Sequence, residues 1–225
     1  MLQIHTITKP LLNLLKNLQQ ENIFKDYFLV GGTALSLQLG HRMSEDIDLF
    51  TNGNFNKDEI CDFLNKNYKG KYVIDNIQNS ILNIHINNLK VDFVGIESNL
   101  IEDVKLEDGI KYLGKKDIAA MKLRACAFRG NEAKDFVDIY FLLKEMYLKD
   151  MFEYFKKKYD QTDITIIKKS LVYFDDVKEN SWKSLKLLHD KLSVNELKQT
   201  LINEVNNYNQ KYNNIPTGNR ESSKR

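Results

Sequence analysis

The sequence predicts an α+β fold: a small mixed β-sheet with flanking helices to about residue 114, an all-helical segment over 115–212, and a tail over 213–225. Three observations lead there. Apolar and polar residues alternate with period two over 46–50, 80–87 and 89–95, the pattern of strands with one buried face. Between 28 and 40 an apolar run stops at Gly31-Gly32 and resumes as a short helical pattern, a strand, glycine turn and helix. From Lys115 onward the apolar residues recur at helical spacing.

Each element has its own reason. Lys9-Pro10 followed by Leu11, Leu12, Leu14, Leu15 and Leu18 predicts an amphipathic helix with proline at its first position, packed on the sheet. Phe28-Leu29-Val30 is a strand, and 33–39 a short helix ended by Gly40, since glycine accepts the left-handed backbone found at helix ends. In the strand over 46–50, alternation puts Asp46 and Asp48 on one face, Ile47 and Leu49 on the other. Asn56 with Glu59 three residues on marks a helix start, and Ile60, Phe63 and Leu64 give its buried stripe to about Tyr68. A strand is expected over 71–77. In the next, Leu82, Ile84 and Ile86 share one side; over 89–95, Val91 and Phe93 face the core and Asp92 faces away. Residues 117–130 are apolar all round, which predicts a buried helix, yet they include Lys122 and Arg129, two turns apart and pointing the same way. Those cations must snorkel, pair with acids downstream or meet a phosphate. The helix over 134–143 carries Asp135 and Asp138 on one face. Further helices are expected at about 150–159, 163–173 and 193–211, the last opened by Ser193 and Glu196 as a capping box. The tail lacks apolar content and is expected to be mobile.

Composition narrows the function classes. With 225 residues, 42% hydrophobic and 28% charged, the chain can bury a real core. No apolar run approaches the ~18 residues that span a bilayer, and Lys, Pro and Asn interrupt the first twenty residues where a signal peptide would be continuous. A cytoplasmic protein without a membrane partner is expected. Cys61 and Cys126 lie far apart in helical patterns, which indicates neither a disulfide framework nor zinc, and both are expected as buried small apolar residues. The net charge of +2 hides an asymmetry: residues 1–115 carry 12 Lys/Arg against 15 Asp/Glu, and 116–225 carry 21 against 16. An acidic half beside a basic half suits a metal site facing a polyanionic second substrate such as RNA. The run Lys156-Lys157-Lys158 reads as a solvated helix face.

Chemistry concentrates in 28–50. Carboxylates two residues apart on a strand start about 6.5 Å apart at the backbone and can converge. Like charges that close need protons or a cation, and Mg²⁺ (or Mn²⁺) bound by oxygen is the usual answer, with positions left for substrate phosphates. Glycines at a helix start offer backbone NH groups and partial positive charge to a phosphate, and Thr33 could add a hydroxyl. The pairing suggests a nucleoside triphosphate at Gly31, Gly32 and Thr33 with its metal on Asp46 and Asp48. Asp92 would complete a three-carboxylate site as base or second metal anchor, unless it is a surface residue on an edge strand.

The pattern GG-T-x-L…HR-x-S-x-DIDLF resembles the DNA polymerase β-type nucleotidyltransferase superfamily, specifically its AbiEii/AbiGii-type toxin branch, over residues 25–145. The resemblance implies a Mg²⁺-dependent nucleotidyltransferase, the toxin of a toxin–antitoxin system in phage defence, moving NMP from an NTP to an RNA acceptor such as the tRNA 3′ end with release of pyrophosphate. It implies metal ligation by Asp46, Asp48 and Asp92, triphosphate contact by Lys122, and a site role for Asp135 through the match Arg129-Gly130…Lys134-Asp135, with Asp138 as its companion. Ser44 and Arg129 join the nucleotide-binding set on the same basis, and a cognate antitoxin is an implied partner. The cleft between sheet and helical segment is expected to hold the nucleotide. Competing readings keep the site but change the acceptor to a protein side chain or a small antibiotic, or keep the fold as an inactive binding module or antitoxin-like partner.

Overall fold

The structure is a computed structural model that describes residues 1–53, 55–188 and 192–212. The expected tail over 213–225 lies outside the described residues. Seven strands form one mixed sheet: β1 (Phe28–Leu29), β2 (Ile47–Thr51), β3 (Tyr72–Gln78), β4 (Ile81–Ile86), β5 (Leu89–Gly95), β6 (Lys105–Glu107) and β7 (Ile110–Tyr112). Their order is β3-β4-β5-β2-β1-β7-β6, with β2 parallel to β5, β1 parallel to β7, and the other pairs antiparallel. The α+β class read from the sequence holds.

Alternation explains the register. Leu82, Ile84 and Ile86 of β4, Val91 and Phe93 of β5, and Ile47 and Leu49 of β2 are fully buried on one face of the sheet. A one-residue slip would carry all of them to the opposite face, so the pairing of β4, β5 and β2 is strongly specified. Phe93 stacks on Phe24 with ring centres 4.9 Å apart and meets Tyr27 edge-on. Asp92, on the opposite pleat, sits on an interior strand between β4 and β2, so the edge-strand alternative for it is excluded.

The helices are α1 (Lys9–Gln20), α2 (Gly31–Leu39), α3 (Lys57–Asn67), α4 (Lys115–Phe128), α5 (Ala133–Leu142), α6 (Leu148–Tyr159), α7 (Thr165–Leu171), α8 (Glu179–Lys183) and α9 (Val194–Tyr212). Thr8 caps α1 and accepts a hydrogen bond from the Leu11 amide, which places Pro10 one position further in than expected. Asn56 caps α3 by accepting from the amides of Asp58 and Glu59. Gly40 ends α2 at φ +73°. Ser193 accepts from the Glu196 amide at the start of α9. Helix α4 touches α2, α5, α6 and α7, which is why its sequence is apolar all round.

One element goes unread in the sequence and two local expectations give way. The hairpin β6–β7 is absent from the sequence reading, although Asp108-Gly109, at φ +52° and +77°, is the two-residue turn that favours a hairpin. Lys158 is not solvated: it is 4% exposed, 2.7 Å from Asp117, which also accepts from the amides of Ile101 and Glu102. Cys126 is buried as expected, Cys61 only half-buried, and both are free thiols. Among the described residues no helix is long and apolar enough to cross a membrane.

Candidate active site

Two strands and one helix start meet at a single point. In the parallel pair β2·β5, Asp48 stands directly opposite Asp92, which brings the two acids to adjacent backbone positions about 4.8 Å apart. The Val30 amide donates to the Asp48 carbonyl at 2.9 Å, and α2 starts at the next residue. Gly31 has φ +69°, and a Cβ there would lie 2.4 Å from Asp48 Oδ2; a Cβ on Gly32 would lie 2.3 Å from Arg42 Nη2. The two glycines thus let the backbone of the helix start approach one carboxylate and one guanidinium more closely than any side chain would allow. Gly31→Ala should therefore cost about 1–3 kcal/mol from the left-handed backbone and the displaced carboxylate, read as a lower urea midpoint with turnover falling alongside.

The loop 41–46 is fixed by buried hydroxyls. Thr33 and Ser44 are 1% and 6% exposed, with their oxygens 2.8 Å apart, and Thr33 also donates to the Asp46 carbonyl. The Ser44 amide donates to Thr6. Both residues line the cleft, but as placed the Thr33 proton goes to the chain itself. That bond holds Asp46 in position.

The carboxylates are short of positive charge. Burial first, then the charges of Asp92 and Asp46, push the Asp48 carboxyl up to about 6. Asp92 Oδ1 is buried with no hydrogen-bond partner, while its Oδ2 lies 3.0 Å from Lys90. Asp46 Oδ2 lies 3.5 Å from Lys134. Asp46 and Asp92 each thus lean on a lysine, and no three acids or histidines among the described residues already stand in a metal-ligating arrangement. The set still fits a hard cation. It is all carboxylate oxygen, one atom of it is orphaned in a buried position, and its central member is crowded by two like charges.

Beneath this lies a buried ionic cluster. Lys122 is 2.6 Å from Asp135 and 2.7 Å from Asp138; Arg42 grips Asp138 with Nε at 2.7 Å and Nη2 at 2.9 Å; His41 Nε2 is 2.8 Å from the same carboxyl. Arg129, 3.4 Å from Asp135, converges on the same acid as Lys122, as the two-turn spacing requires. Burial works against ionising Asp138, but Arg42, Lys122 and His41 outweigh it and hold the carboxyl well below its usual range. Burial likewise opposes the Lys122 charge, and Asp138 and Asp135 more than restore it. The pairing alternative for Lys122 is therefore realised, Asp135 is its partner, and Asp138 is the hub. His41 and Arg42 were legible only as letters of the HR-x-S motif. Their partner is 96 and 97 residues away, and nothing local could assign them.

The cleft has a volume of about 380 Å³ and is lined by both halves of the chain: Gly31, Gly32, Asp46, Asp48 and Asp92 on one wall, Lys122, Arg129 and Asp135 on the other. Lys90, Lys134 and Lys186 also line it, together with Glu45 and Glu132. Lys186 comes from a segment the sequence did not flag: its carbonyl accepts from the Met43 amide at 2.8 Å, and its ammonium lies 2.9 Å from Glu45. Carboxylates beside the glycine turn on one wall, with Lys122 and Arg129 across the cleft, make a site for a polyanion that arrives with its own cation.

Comparison with known proteins bears on this geometry. A family model described as nucleotidyl transferase AbiEii toxin, type IV TA system, matches residues 13–203. An uncharacterized protein of Aquifex aeolicus is 36% identical over 169 residues, 72% of this chain and 81% of that one. Among solved structures, MenT4, a nucleotidyltransferase toxin from Mycobacterium tuberculosis, superposes with a TM-score of 0.57 at 14% identity over 85% of this chain and 79% of that one. JHP933 from Helicobacter pylori gives 0.56 at 20% identity over 91% and 94%. At those identities the two structures establish a common fold.

Proposed function

Because the chain belongs to the AbiEii nucleotidyl transferase toxin family of type IV toxin–antitoxin systems, and is thereby a nucleotidyltransferase, we propose that it moves the nucleoside monophosphate of an NTP to the 3′ end of tRNA in the cytoplasm. A cognate antitoxin is its expected partner. The observation that carries the reading is the in-register pair Asp48 and Asp92 lying against the glycine turn that opens α2.

Gly31 and Gly32 receive phosphate oxygens on backbone NH groups at the positive end of the helix. Asp46, Asp48 and Asp92 would hold Mg²⁺ or Mn²⁺, which when bound supplies charge neutralisation and eases ionisation of the attacking hydroxyl. Lys122 spends two of its hydrogens on Asp135 and Asp138, and as a cleft-lining residue it offers a third to a phosphate oxygen. Arg129 adds a second cation at the rim. Asp92 takes the proton of the acceptor hydroxyl as the hydroxyl oxygen bonds to the α-phosphorus; the bond from that phosphorus to the bridging oxygen breaks, and pyrophosphate leaves. Positioning and charge stabilisation supply most of the acceleration.

The test is incubation of the full-length protein with α-labelled NTPs, Mg²⁺ and total tRNA. Label is expected on the RNA 3′ end, with Asp92→Asn strongly reducing it. Label on protein, or on an added aminoglycoside, would move the acceptor to another class; bound NTP with no transfer to any acceptor would contradict the proposal.

A further inference from the structure

Helix α4 is buried along most of its length, yet Phe128 at its last turn is 59% exposed. One turn earlier Arg124 holds its guanidinium 5.9 Å from the Phe128 ring centre and 4.6 Å from that of Tyr159, at the end of α6. An arginine within reach of two aromatic rings, one of them open to solvent, offers flat cationic and π surfaces side by side. The place matters as much as the chemistry. Helix α4 lines the cleft with Met121, Ala125 and Arg129. At about 100° per residue, Phe128 projects only ~20° around the helix from Met121 and ~60° from Ala125, on the same side of the helix as these two cleft-lining residues. Strand β2 makes the same passage, from Asp48 and Phe50 in the cleft to Asn52 in a neighbouring groove of about 490 Å³ that Arg124 and Tyr159 also line.

We infer that Arg124, Phe128 and Tyr159 form a stacking seat for unpaired nucleotides of an RNA strand whose 3′ end enters the cleft. The inference rests on the RNA-acceptor reading above and locates where that RNA is held. Single-stranded RNA is recognised by unstacked bases laid on aromatic rings and guanidinium planes, backed by cations for the phosphates. Arg129, 63% exposed beside Phe128 in sequence, and the basic balance of residues 116–225 supply that backing. A base seated at Phe128 would not displace the nucleotide, since none of the three seat residues lines the cleft itself.

Fluorescence anisotropy of a labelled single-stranded RNA oligonucleotide, with the full-length protein and its variants, tests the seat without requiring turnover. Phe128→Ala and Arg124→Ala should each weaken binding about tenfold, as loss of base stacking does, while Phe128→Trp retains it and affinity for a fluorescent NTP analogue is unchanged. Thermal melting checks that Phe128→Ala is folded, as expected for an exposed side chain. Wild-type affinity in Phe128→Ala, or no RNA binding by the wild type, overturns the seat. RNA binding that is lost in Phe128→Ala, together with label transfer to protein only, would support the seat while overturning the tRNA-acceptor reading.

Discussion

Asp48→Asn is expected to abolish nucleotidyl transfer, lowering kcat on the order of 10³-fold or more, while leaving the protein folded and no less stable. The substitution is isosteric, so the β2·β5 register and the packing of Gly31 against this side chain survive; what disappears is the charge at the centre of the carboxylate cluster. Stability should respond in the direction opposite to activity. The Asp48 carboxyl sits at about 6 in the folded protein, above its unfolded value of about 3.9, so the folded state binds the proton more tightly. Its contribution is then fully present below about pH 4 and is lost as pH rises through about 6. Asparagine does not ionise, so the melting temperature of the variant at neutral pH should equal or exceed that of the wild type, and the two pH–stability curves should diverge between those limits. A residue that merely held the fold would lose stability along with activity.

Asp138→Asn should have the largest effect on folding, about 3–5 kcal/mol, or a melting temperature lower by roughly 10 °C for a chain of this size. The reason is what remains behind. Arg42, 4% exposed, and Lys122, 5% exposed, would keep their charges with the principal counter-ion gone. Because the Asp138 carboxyl is held well below its usual range in the folded state, its contribution is present above the unfolded value of about 3.9 and is lost as pH falls through the folded value. Wild type and variant should thus differ most at neutral pH and converge in acid. Equal melting temperatures at pH 7 would show that the cluster is not the strut between loop 41–46 and α5.

The parts of this molecule that were legible in the sequence are those fixed by local periodicity. Alternation in β2, β4 and β5 has a single solution once one face is buried, so it placed Val91 and Phe93 inward and, by the same parity, Asp48 and Asp92 on the opposite face. Asn56, Gly40 and Ser193 act on backbone groups within a few residues, so their caps were visible too. What escaped was long-range or very short. The strands of the β6–β7 hairpin have three residues each, too few to show a period. The return of 185–188 onto 41–43, the Lys158–Asp117 pair and the grip of Asp138 on His41 and Arg42 join residues 41 to 147 positions apart, and no window along the chain contains both partners. For the candidate site, residue types and spacing pointed to Asp48, Asp92 and the glycine turn, which the fold brings together, but the bond from Thr33 to the Asp46 carbonyl depends on how the loop 41–46 folds back and had no local signal.

The claim on which the account depends is that Asp46, Asp48 and Asp92 converge on a divalent cation accompanying a nucleotide. Titration of the full-length protein with Mn²⁺ in the presence of a non-hydrolysable ATP analogue, followed by the electron paramagnetic resonance signal of the free ion, tests it without any acceptor. Wild-type protein is expected to sequester Mn²⁺ in a nucleotide-dependent manner and Asp48→Asn to leave it free; equal uptake by the two, or none by the wild type, would contradict the account.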